Sequence, residues 1–444
     1  MAVLGRMTPN LVGLLPFSER TPKRKEIEMS KESNRVVITG MGTINPLGLN
    51  VETTWRNLLA GKSGAGPLTH FDPSPFLTQI ACEVKDFDPE DHMSRKDARR
   101  LNRYIQFAIA STAQALEQAG LTIDERNADD VGVIIGSGIG GLPTMDKGYH
   151  DLFTKGPMRV SPLTGPMMIA NMAAGQVAIT FGAAGPNFCI VAACATGSNV
   201  IGEASELIRR GDAVAVIAGG SESPFVPLGM AAFHRTGALS RRNDDPERAS
   251  RPFDAQRDGF VFGEGAGILI LESLEYAQRR GAKPLAEMVG YGATSDAFHI
   301  SAPAQDGRGA AQSMKRALKK AGLEPTEVDY INAHGTSTIL NDMIETKAIK
   351  TVFGDYAYQV PISSTKSMTG HLMGAAGALE AIVCVKTIQE GIIHPTINYE
   401  YPDPECDLDY APNVARQADV RVALSNSFGF GGHNATIVIK AYAP

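Results

Sequence analysis

The chain alternates short, continuously apolar runs with longer segments that are apolar on one face. The apolar runs include residues 35–39, 131–135, 213–218, 328–332 and 435–440. Segments with helical periodicity include residues 51–60, 105–119, 167–180, 310–321 and 375–389. Strands that are apolar throughout lie in sheets covered on both faces, so this alternation predicts an α/β fold.

The order of elements begins again after about residue 285. Helical and strand-like segments then follow at residues 310–321, 328–332, 341–352, 361–364, 375–389, 420–424 and 435–440. We therefore predict two similar α/β halves, at residues 34–285 and 286–444. The repeat lies in the order of the elements and not in residue identity.

Residues 1–33 precede the first strand and are predicted to be a disordered extension. A transit peptide is the alternative, which would place the protein in a plastid or another organelle. The acidic residues Glu19, Glu26 and Glu28 and the few hydroxyl residues fit a transit peptide poorly. We favour the disordered extension.

The composition excludes several classes of protein. With 43% hydrophobic and 20% charged residues, the 444-residue chain can bury a large core. Its net charge of −6 gives no indication of a nucleic-acid partner. The five cysteines have no metal-type spacing, and their odd number does not suggest a disulfide framework, so we expect a reducing compartment, the bacterial cytoplasm, and no metal. No apolar run is long enough for membrane insertion.

Cys194 lies between an apolar, strand-like run at residues 187–193 and a helical segment at residues 199–210. The first N–H groups of a helix have no internal partners, and the helix dipole is positive there. Both effects favour the thiolate, which is the nucleophilic form. A small buried hydrophobe is the alternative for a free cysteine, and this local pattern alone does not decide between the two.

Three further loops follow apolar strands and carry chemically useful residues. His334 lies in an Ala-His-Gly-Thr turn, and Lys366 and His371 share the loop after the next strand. The third loop, residues 425–434, is rich in glycine and brings backbone N–H groups close to a ligand. Open α/β sheets bind ligands at their strand ends. Together these groups predict an acyl-transfer site.

These segments resemble β-ketoacyl-acyl carrier protein synthases of the elongating type, and most of all synthase II. The matching stretches are residues 193–197 (ACATG), 251–267 (RPFDAQRDGFVFGEGAG), 332–338 (NAHGTST), 366–377 (KSMTGHLMGAAG) and 426–434 (NSFGFGGHN). The resemblance covers the chain from about Arg35 to its end. It implies a thiolase-like fold with two duplicated halves stacked as αβαβα, usually in a homodimer.

The resemblance also implies roles for individual residues. Cys194 would accept the acyl group, and His334 and His371 would serve decarboxylation of the malonyl group. Lys366 would supply electrostatics and hydrogen bonds. Phe430 would act as a gate and, with the Cys194 N–H, as an oxyanion-hole donor. The hydroxyls of Thr336 and Thr338 would bind pantetheine. Ile139 and Phe428 would line the acyl pocket.

The chemistry is consistent with these residue types. A thioester on cysteine stays reactive, and two imidazole N–H donors can stabilise the enolate left when malonyl loses CO₂. A neighbouring lysine favours neutral imidazoles by like-charge repulsion. We read Asp296 and Glu345 as structural supports and Cys189 as a core residue. No cofactor is expected beyond the 4′-phosphopantetheine that arrives on the acyl carrier protein.

The partner implied by the resemblance is an acyl carrier protein, which is acidic. Binding an acidic partner to a net negative chain requires a local basic patch. The densest basic cluster is residues 95–103, where helical spacing would place Lys96, Arg99, Arg100 and Arg103 on one face. The family's docking helix falls on the first three of these. A solvated helix face is the alternative interpretation.

Other functions remain open at this point. A stand-alone polyketide ketosynthase would carry the same residues with a different acyl pocket. A non-catalytic chain-length partner would lack the nucleophile, and a cysteine hydrolase would not need two histidines and a lysine. His433 and the Ala195–Thr196 pair differ from many relatives and bear only on the subtype.

Overall fold

The computed structural model describes residues 35–443. Its strands are β1 (Val36–Ile44), β2 (Gly66–Pro67), β3 (Ile80–Ala81), β4 (Val131–Gly136), β5 (Asn187–Phe188), β6 (Ala215–Glu222), β7 (Gly265–Ser273), β8 (Ala286–Ser295), β9 (Tyr330–Asn332), β10 (Ile362–Ser363), β11 (Ile392–Ile393), β12 (Arg416–Gln417), β13 (Val422–Gly429) and β14 (His433–Lys440).

The helices alternate with these strands along the chain. They are α1 (Val51–Leu59), α2 (Arg95–Ala98), α3 (Arg103–Ala119), α4 (Leu142–Lys155), α5 (Thr164–Met168), α6 (Met172–Phe181), α7 (Thr196–Arg210), α8 (Pro227–Arg235), α9 (Leu274–Arg279), α10 (Arg308–Ala321), α11 (Ile339–Phe353), α12 (Lys366–Thr369) and α13 (Ala376–Glu390). Short 3₁₀ turns, including Met373–Ala375, connect several of them.

Ten strands form two five-stranded halves with the same topology. The sheet order is β10-β9-β13-β14-β8-β1-β7-β6-β4-β5. In the first half, β1 pairs antiparallel with β7, and the next three strands, β6, β4 and β5, run parallel to one another. In the second half, β8 pairs antiparallel with β14, and the next three strands, β13, β9 and β10, run parallel to one another. The halves meet where β1 pairs with β8 through two residue pairs. The duplication predicted from element order is thus present in strand order and in strand direction.

Helices cover both faces of each half and form the layers of the fold. Residues of α7 and α13 pack between strands of both halves in one large core. Helices α3 and α6 cover the outer face of the first half, and α10 and α11 cover the outer face of the second. This gives helix, sheet, helix, sheet and helix layers, and places the starts of α7 and α13 at the centre of the molecule.

Two sequence expectations differ from the structure in this region. The apolar run at residues 187–193 forms only the two-residue edge strand β5, and Cys189 beyond it is half-buried and not a core residue. Strand β5 lies at the edge of the sheet and pairs with β4 only. The predicted extension at residues 1–33 lies outside the described residues, and the boundary at residue 285 stays a prediction. Within residues 35–443, no helix has the length and apolarity needed to cross a bilayer.

Candidate active site

The nucleophile candidate lies in a sharp turn before α7. Ala193 has φ +48°, a left-handed conformation, and the helix begins at Thr196. The N–H of Ala195 bonds the carbonyl of Ala192 at 3.0 Å, which closes the turn. The turn directs Cys194 into a cavity of about 370 Å³, with 6% of the residue exposed. Sequence reasoning placed the cysteine at this helix start correctly.

The same cavity collects residues from both halves of the chain. Its walls include the side chains predicted for chemistry and pantetheine binding, together with aromatic rings and the glycine loop. They include Cys194, Phe233, Phe260, Asp296, His334, Thr336, Thr338, His371, Met373, Phe428, Phe430 and Gly432. Lys366 and Ile139 are not part of this lining. The structure therefore brings the predicted nucleophile, imidazoles, threonines and aromatic residues together.

His334 and His371 form a buried, perpendicular pair of rings. Their centroids lie 5.4 Å apart at an interplanar angle of 83°. The N–H of Met373 bonds Nδ1 of His371 at 3.3 Å, so this nitrogen accepts and Nε2 carries the proton. Nε2 has no partner within the described residues. His371 thus offers one free N–H donor inside the site.

Both imidazoles are neutral in this environment. Burial holds the pKa of His371 well below its usual range, and the charge of Lys366 acts in the same direction. Burial and then Lys366 and His371 do the same to the pKa of His334. A neutral imidazole can accept a thiol proton or donate one hydrogen bond to an oxyanion.

The thiol of Cys194 differs from the sequence expectation. Burial raises its pKa to about 12, and Glu222 adds to this, whereas Lys366 and the N–H groups of Phe430 and Cys194 act against it. Dehydration of the sulfur therefore outweighs the start of the helix, and the resting residue is a thiol. The two N–H groups that face the sulfur are the pair expected for an oxyanion hole.

Lys366 lies behind the cavity in a buried ion pair. Its Nζ bonds the Glu380 carboxylate on α13, and Lys366 is 1% exposed. Sequence reasoning found the lysine but missed Glu380, which lies inside an apolar helix. Buried oxygen atoms with no partner in the described residues include Asn332 Oδ1, Glu380 Oε2 and Ser425 Oγ. No metal-ligand group of His, Cys, Asp and Glu occurs in residues 35–443.

The threonine loop is held rigidly by a buried carboxylate. Asp342 accepts the N–H groups of Thr336 at 3.0 Å and Ser337 at 3.1 Å. Arg257 lies 3.8 Å from Asp342 and donates to the carbonyl of Thr338 at 3.2 Å. The hydroxyls of Thr336 and Thr338 lie 2.9 Å apart at the cavity wall. Sequence reasoning missed Asp342 and Arg257, although Arg257 lies in a family motif.

The two proposed supports have the partners expected of supports. Glu345 accepts the N–H groups of His334 and Gly335, each at 2.8 Å, and burial raises its pKa to about 7. Asp296 accepts from Asn434 at 2.7 Å and from the N–H of Ala304 at 2.9 Å. Each carboxylate thus fixes a loop that lines the cavity.

The aromatic residues of the glycine loop lie over the site. Phe430 stacks on Phe233, with centroids 6.2 Å apart at 15°. The ring of Phe428 meets His334 edge to face at 5.7 Å. Both line the cavity, in agreement with their predicted positions. Ile139 is half-buried outside the lining, so the structure does not place it at this cavity.

The predicted docking helix is shorter than expected. Helix α2 ends at Ala98, and Arg103 begins a separate helix, so Arg103 does not share a face with Lys96 and the rest. Arg103 instead bonds the buried Glu264 at 3.0 Å. The chain turns between the two helices because Asn102 caps α3. Lys96, Arg99 and Arg100 remain exposed, as a docking site requires.

Comparison with known proteins identifies the family. Residues 33–277 match the family described as beta-ketoacyl synthase, N-terminal domain, and residues 285–400 match beta-ketoacyl synthase, C-terminal domain. The chain belongs to the β-ketoacyl synthase family. This confirms the predicted family and the condensing acyltransferase class.

Individual relatives are similar over almost the whole chain. The 3-oxoacyl-[acyl-carrier-protein] synthase 2 of Synechocystis sp. is 55% identical over 411 residues, 93% of this chain and 99% of the relative. The synthase 2 of Staphylococcus aureus (strain COL) is 52% identical over 411 residues, with the same coverage.

Solved ketosynthase structures share the fold. A β-ketoacyl synthase from Burkholderia phymatum STM815 has a TM-score of 0.86 at 35% identity, covering 92% of this chain and 100% of that one. The ketosynthase structure AntDE:AntF, described with a type II PKS acyl-carrier protein and a hexaketide, has a TM-score of 0.85 at 38% identity, covering 92% and 99%. The predicted thiolase-like α/β fold is confirmed.

The first prediction concerns the charge that keeps the imidazoles neutral. Replacing Lys366 by Met removes the positive charge that opposes imidazolium at His334 and His371. We expect both histidine pKa values to rise towards 6.5 in a ¹⁵N-histidine NMR titration. The control is Lys347→Met, which should change neither pKa value. Lys347 lies on α11, and its exposed side chain donates to the Gln305 carbonyl. Unchanged values in Lys366→Met would contradict this electrostatic role.

Proposed function

We propose that the enzyme is an elongating 3-oxoacyl-[acyl-carrier-protein] synthase of type II fatty-acid synthesis. The observation that carries this proposal is a pair of buried, neutral imidazoles in one cavity with a cysteine that precedes a helix. A cysteine hydrolase needs only one imidazole. Relatives that are 52–55% identical over nearly the whole chain carry the name of this activity.

The first half-reaction loads Cys194. Its sulfur attacks the acyl-carrier thioester, and a neutral imidazole of the cavity takes the thiol proton. The carbon–sulfur bond to the carrier's pantetheine breaks, and the pantetheine thiolate takes that proton. The N–H groups of Cys194 and Phe430 stabilise the oxyanion during the exchange, because both already face the sulfur.

The second half-reaction forms the carbon–carbon bond. Malonyl-carrier places its thioester oxygen on the free Nε2–H of His371, with His334 beside it. The bond to the carboxylate breaks, CO₂ leaves, and its electron pair becomes the enolate. The enolate carbon attacks the acyl-Cys194 carbonyl, the carbon–sulfur bond breaks, and the thiolate takes one proton from solvent. The product is a β-ketoacyl-carrier two carbons longer.

The remaining roles of Thr336, Thr338, Phe428 and Phe430 follow from their positions on the cavity wall. The adjacent hydroxyls of Thr336 and Thr338 bond the amides of the pantetheine arm, which is the only prosthetic group the proposal needs. Phe428 lines the acyl side and Phe430 acts as the gate. Ile139 is retained as a residue of the far acyl pocket, outside the described cavity lining. We place the enzyme in the reducing cytoplasm of a bacterium because its five cysteines are free.

Decisive evidence for the activity is product formation. The enzyme is incubated with acyl-carriers of graded length and malonyl-carrier, and the products are identified by mass spectrometry. We expect β-ketoacyl-carriers with two added carbons after one turnover. Repeated extension without reduction would favour a polyketide ketosynthase, and hydrolysis alone would reject condensation. No product would favour a non-catalytic chain-length partner.

Two variants separate the half-reactions. Cys194→Gln should lose condensation but still release CO₂ from malonyl-carrier, because His334 and His371 remain. In the same background, His371→Ala should lower the decarboxylation rate by about 10²-fold or more, since one oxyanion donor contributes roughly that much. His70→Ala, outside the cavity, is the matched control and should leave decarboxylation unchanged. Equal rates with and without His371 would refute its role.

The carrier partner is proposed to dock on the exposed residues Lys96, Arg99 and Arg100. Among the described ion pairs, none occupies these three side chains, so their charge is available to an acidic partner. Lys96→Glu with Arg99→Glu should raise KM for the carrier about tenfold and flatten its salt dependence, with kcat preserved. Lys315→Glu with Lys319→Glu, on α10, is the charge-matched control. If Lys96→Glu with Arg99→Glu leaves KM unchanged, the carrier does not dock on these residues.

A homodimer is proposed from the apolar edge of the sheet. Strand β5 ends the ten-stranded sheet. Exposed apolar side chains lie in it (Phe188), three residues after it (Val191) and on α6, which packs against it (Ile179). An open apolar edge strand is a template for pairing with a second chain. Analytical ultracentrifugation should show a dimer, and Val191→Asp with Phe188→Asp should yield monomers. Leu77→Asp, equally exposed elsewhere, should leave the dimer intact.

A further inference from the structure

One buried carboxylate accepts hydrogen bonds from the loop after β4 and from the turn after His371, and it has no role in the reaction so far. Glu222 ends β6 and is 0% exposed. Burial raises its pKa and hydrogen bonds lower it, and no ion pair to Glu222 occurs within residues 35–443. An uncompensated buried charge is costly, so its hydrogen bonds must hold it firmly.

The hydrogen bonds come from two loops that are far apart in sequence. On one side, Glu222 accepts from the Ser137 hydroxyl at 2.7 Å and from the N–H groups of Gly138 at 2.6 Å and Ile139 at 3.3 Å. On the other side, it accepts the N–H of Gly374 at 3.0 Å. The carboxylate thus joins the loop after β4 to the turn after His371.

The contact is possible only because glycine occupies both loops. A Cβ on Gly374 would lie 2.3 Å from the Gly138 nitrogen and 2.9 Å from Glu222 Oε2. A Cβ on Gly138 would lie 3.0 Å from the same oxygen. The two backbones therefore approach each other directly, with the carboxylate oxygens between their N–H groups.

The turn that Glu222 holds is the one that orients His371. Met373, which precedes Gly374, has φ +49°, a conformation that costs a non-glycine residue free energy and needs support. Its N–H is the donor to His371 Nδ1. The hydrogen bond from the next residue, Gly374, fixes the turn in this conformation. The position and the tautomer of His371 therefore depend on Glu222.

We propose that Glu222 is a positioning residue for the condensation reaction, which presents the Nε2–H of His371 by anchoring the turn Met373–Ala375 to the loop after β4. Its negative charge also raises the pKa of the Cys194 thiol. The positioning role rests on the proposed function, whereas this electrostatic role concerns the free enzyme and does not require condensation.

Glu222→Gln tests both roles without changing size. Each carboxylate oxygen of Glu222 accepts a hydrogen bond from at least one backbone N–H. An amide nitrogen cannot accept, so in the glutamine variant the NH₂ group faces a backbone N–H donor. We expect kcat for condensation to fall about tenfold or more, since small misplacements near the reacting groups are costly. KM for both carriers should stay within about twofold.

Alkylation of Cys194 by iodoacetamide gives a readout independent of turnover. The charged groups that act on the pKa of the Cys194 thiol are Lys366, which lowers it, and Glu222, which raises it. Removing the negative charge of Glu222 favours the thiolate, so the pH profile of alkylation should shift to lower pH in Glu222→Gln. A purely structural loss would not produce this shift with the imidazoles and Lys366 in place.

The matched control is Glu272→Gln. Glu272 is also 0% exposed, and its carboxylate accepts hydrogen bonds from Thr39 and Arg280. It lies on β7 opposite Ala215, at the other end of the β6–β7 pair from Glu222. It should lower Tm but leave kcat and the alkylation profile unchanged. If Glu222→Gln does not fold, Ser137→Ala removes one donor and should still lower kcat two- to fivefold, by the loss of a single hydrogen bond.

Failures of the two proposals are distinguishable. Condensation by the unmodified enzyme tests the proposed function, whereas the alkylation profile tests Glu222 whether or not condensation occurs. If Glu222→Gln, or Ser137→Ala in its place, keeps the wild-type kcat and Glu222→Gln keeps the wild-type alkylation profile, the positioning role is wrong. An equal change in Glu272→Gln would also overturn it.

Discussion

The site depends on one constraint: its charged side chains are buried, so each of them must have partners. Lys366 satisfies the constraint by pairing with Glu380, and removing one partner of such a pair costs about 3–5 kcal/mol. Burial holds the pKa values of His334 and His371 low, and the positive charge of Lys366 acts in the same direction. The neutral state of the imidazoles therefore depends first on their own burial and then on the fixed charge of the buried lysine.

The duplicated topology explains why such a site can form at the centre of the molecule. Each half contributes strand ends to the same place, where α7 and α13 lie between the layers. The first half supplies Cys194 and Glu222, and the second supplies both histidines, the lysine and the glycine loop. Neither half holds a complete reaction centre, so the packing of the halves sets the distances between nucleophile and imidazoles.

Much of this arrangement could be predicted from the sequence, because residues such as His334 and His371 follow apolar strands in loops that carry family motifs. For Cys194 the local pattern left nucleophile and buried hydrophobe open, and the other loops and the family motifs decided between them. The sequence could not reveal Glu380 or Glu222, since their partners are far away in the chain and, for Glu222, are mostly backbone N–H groups. The predicted docking helix was too long, because the spacing of basic residues does not show that α2 ends and that Asn102 caps a new helix.

The thiol pKa shows which state the site is built to hold. A helix start and a nearby lysine favour thiolate, yet burial prevails and the pKa of Cys194 is raised. A protonated sulfur looks unfavourable for a nucleophile, but the intermediate of the reaction is an acyl-cysteine, which carries no charge. Burial of the sulfur therefore disfavours the thiolate relative to the uncharged acylated state. In the proposed reaction, negative charge forms later on the enolate oxygen, where the N–H of His371 can stabilise it. The hydrogen-bond donor is therefore placed where the transition state develops charge, and not at the resting thiol.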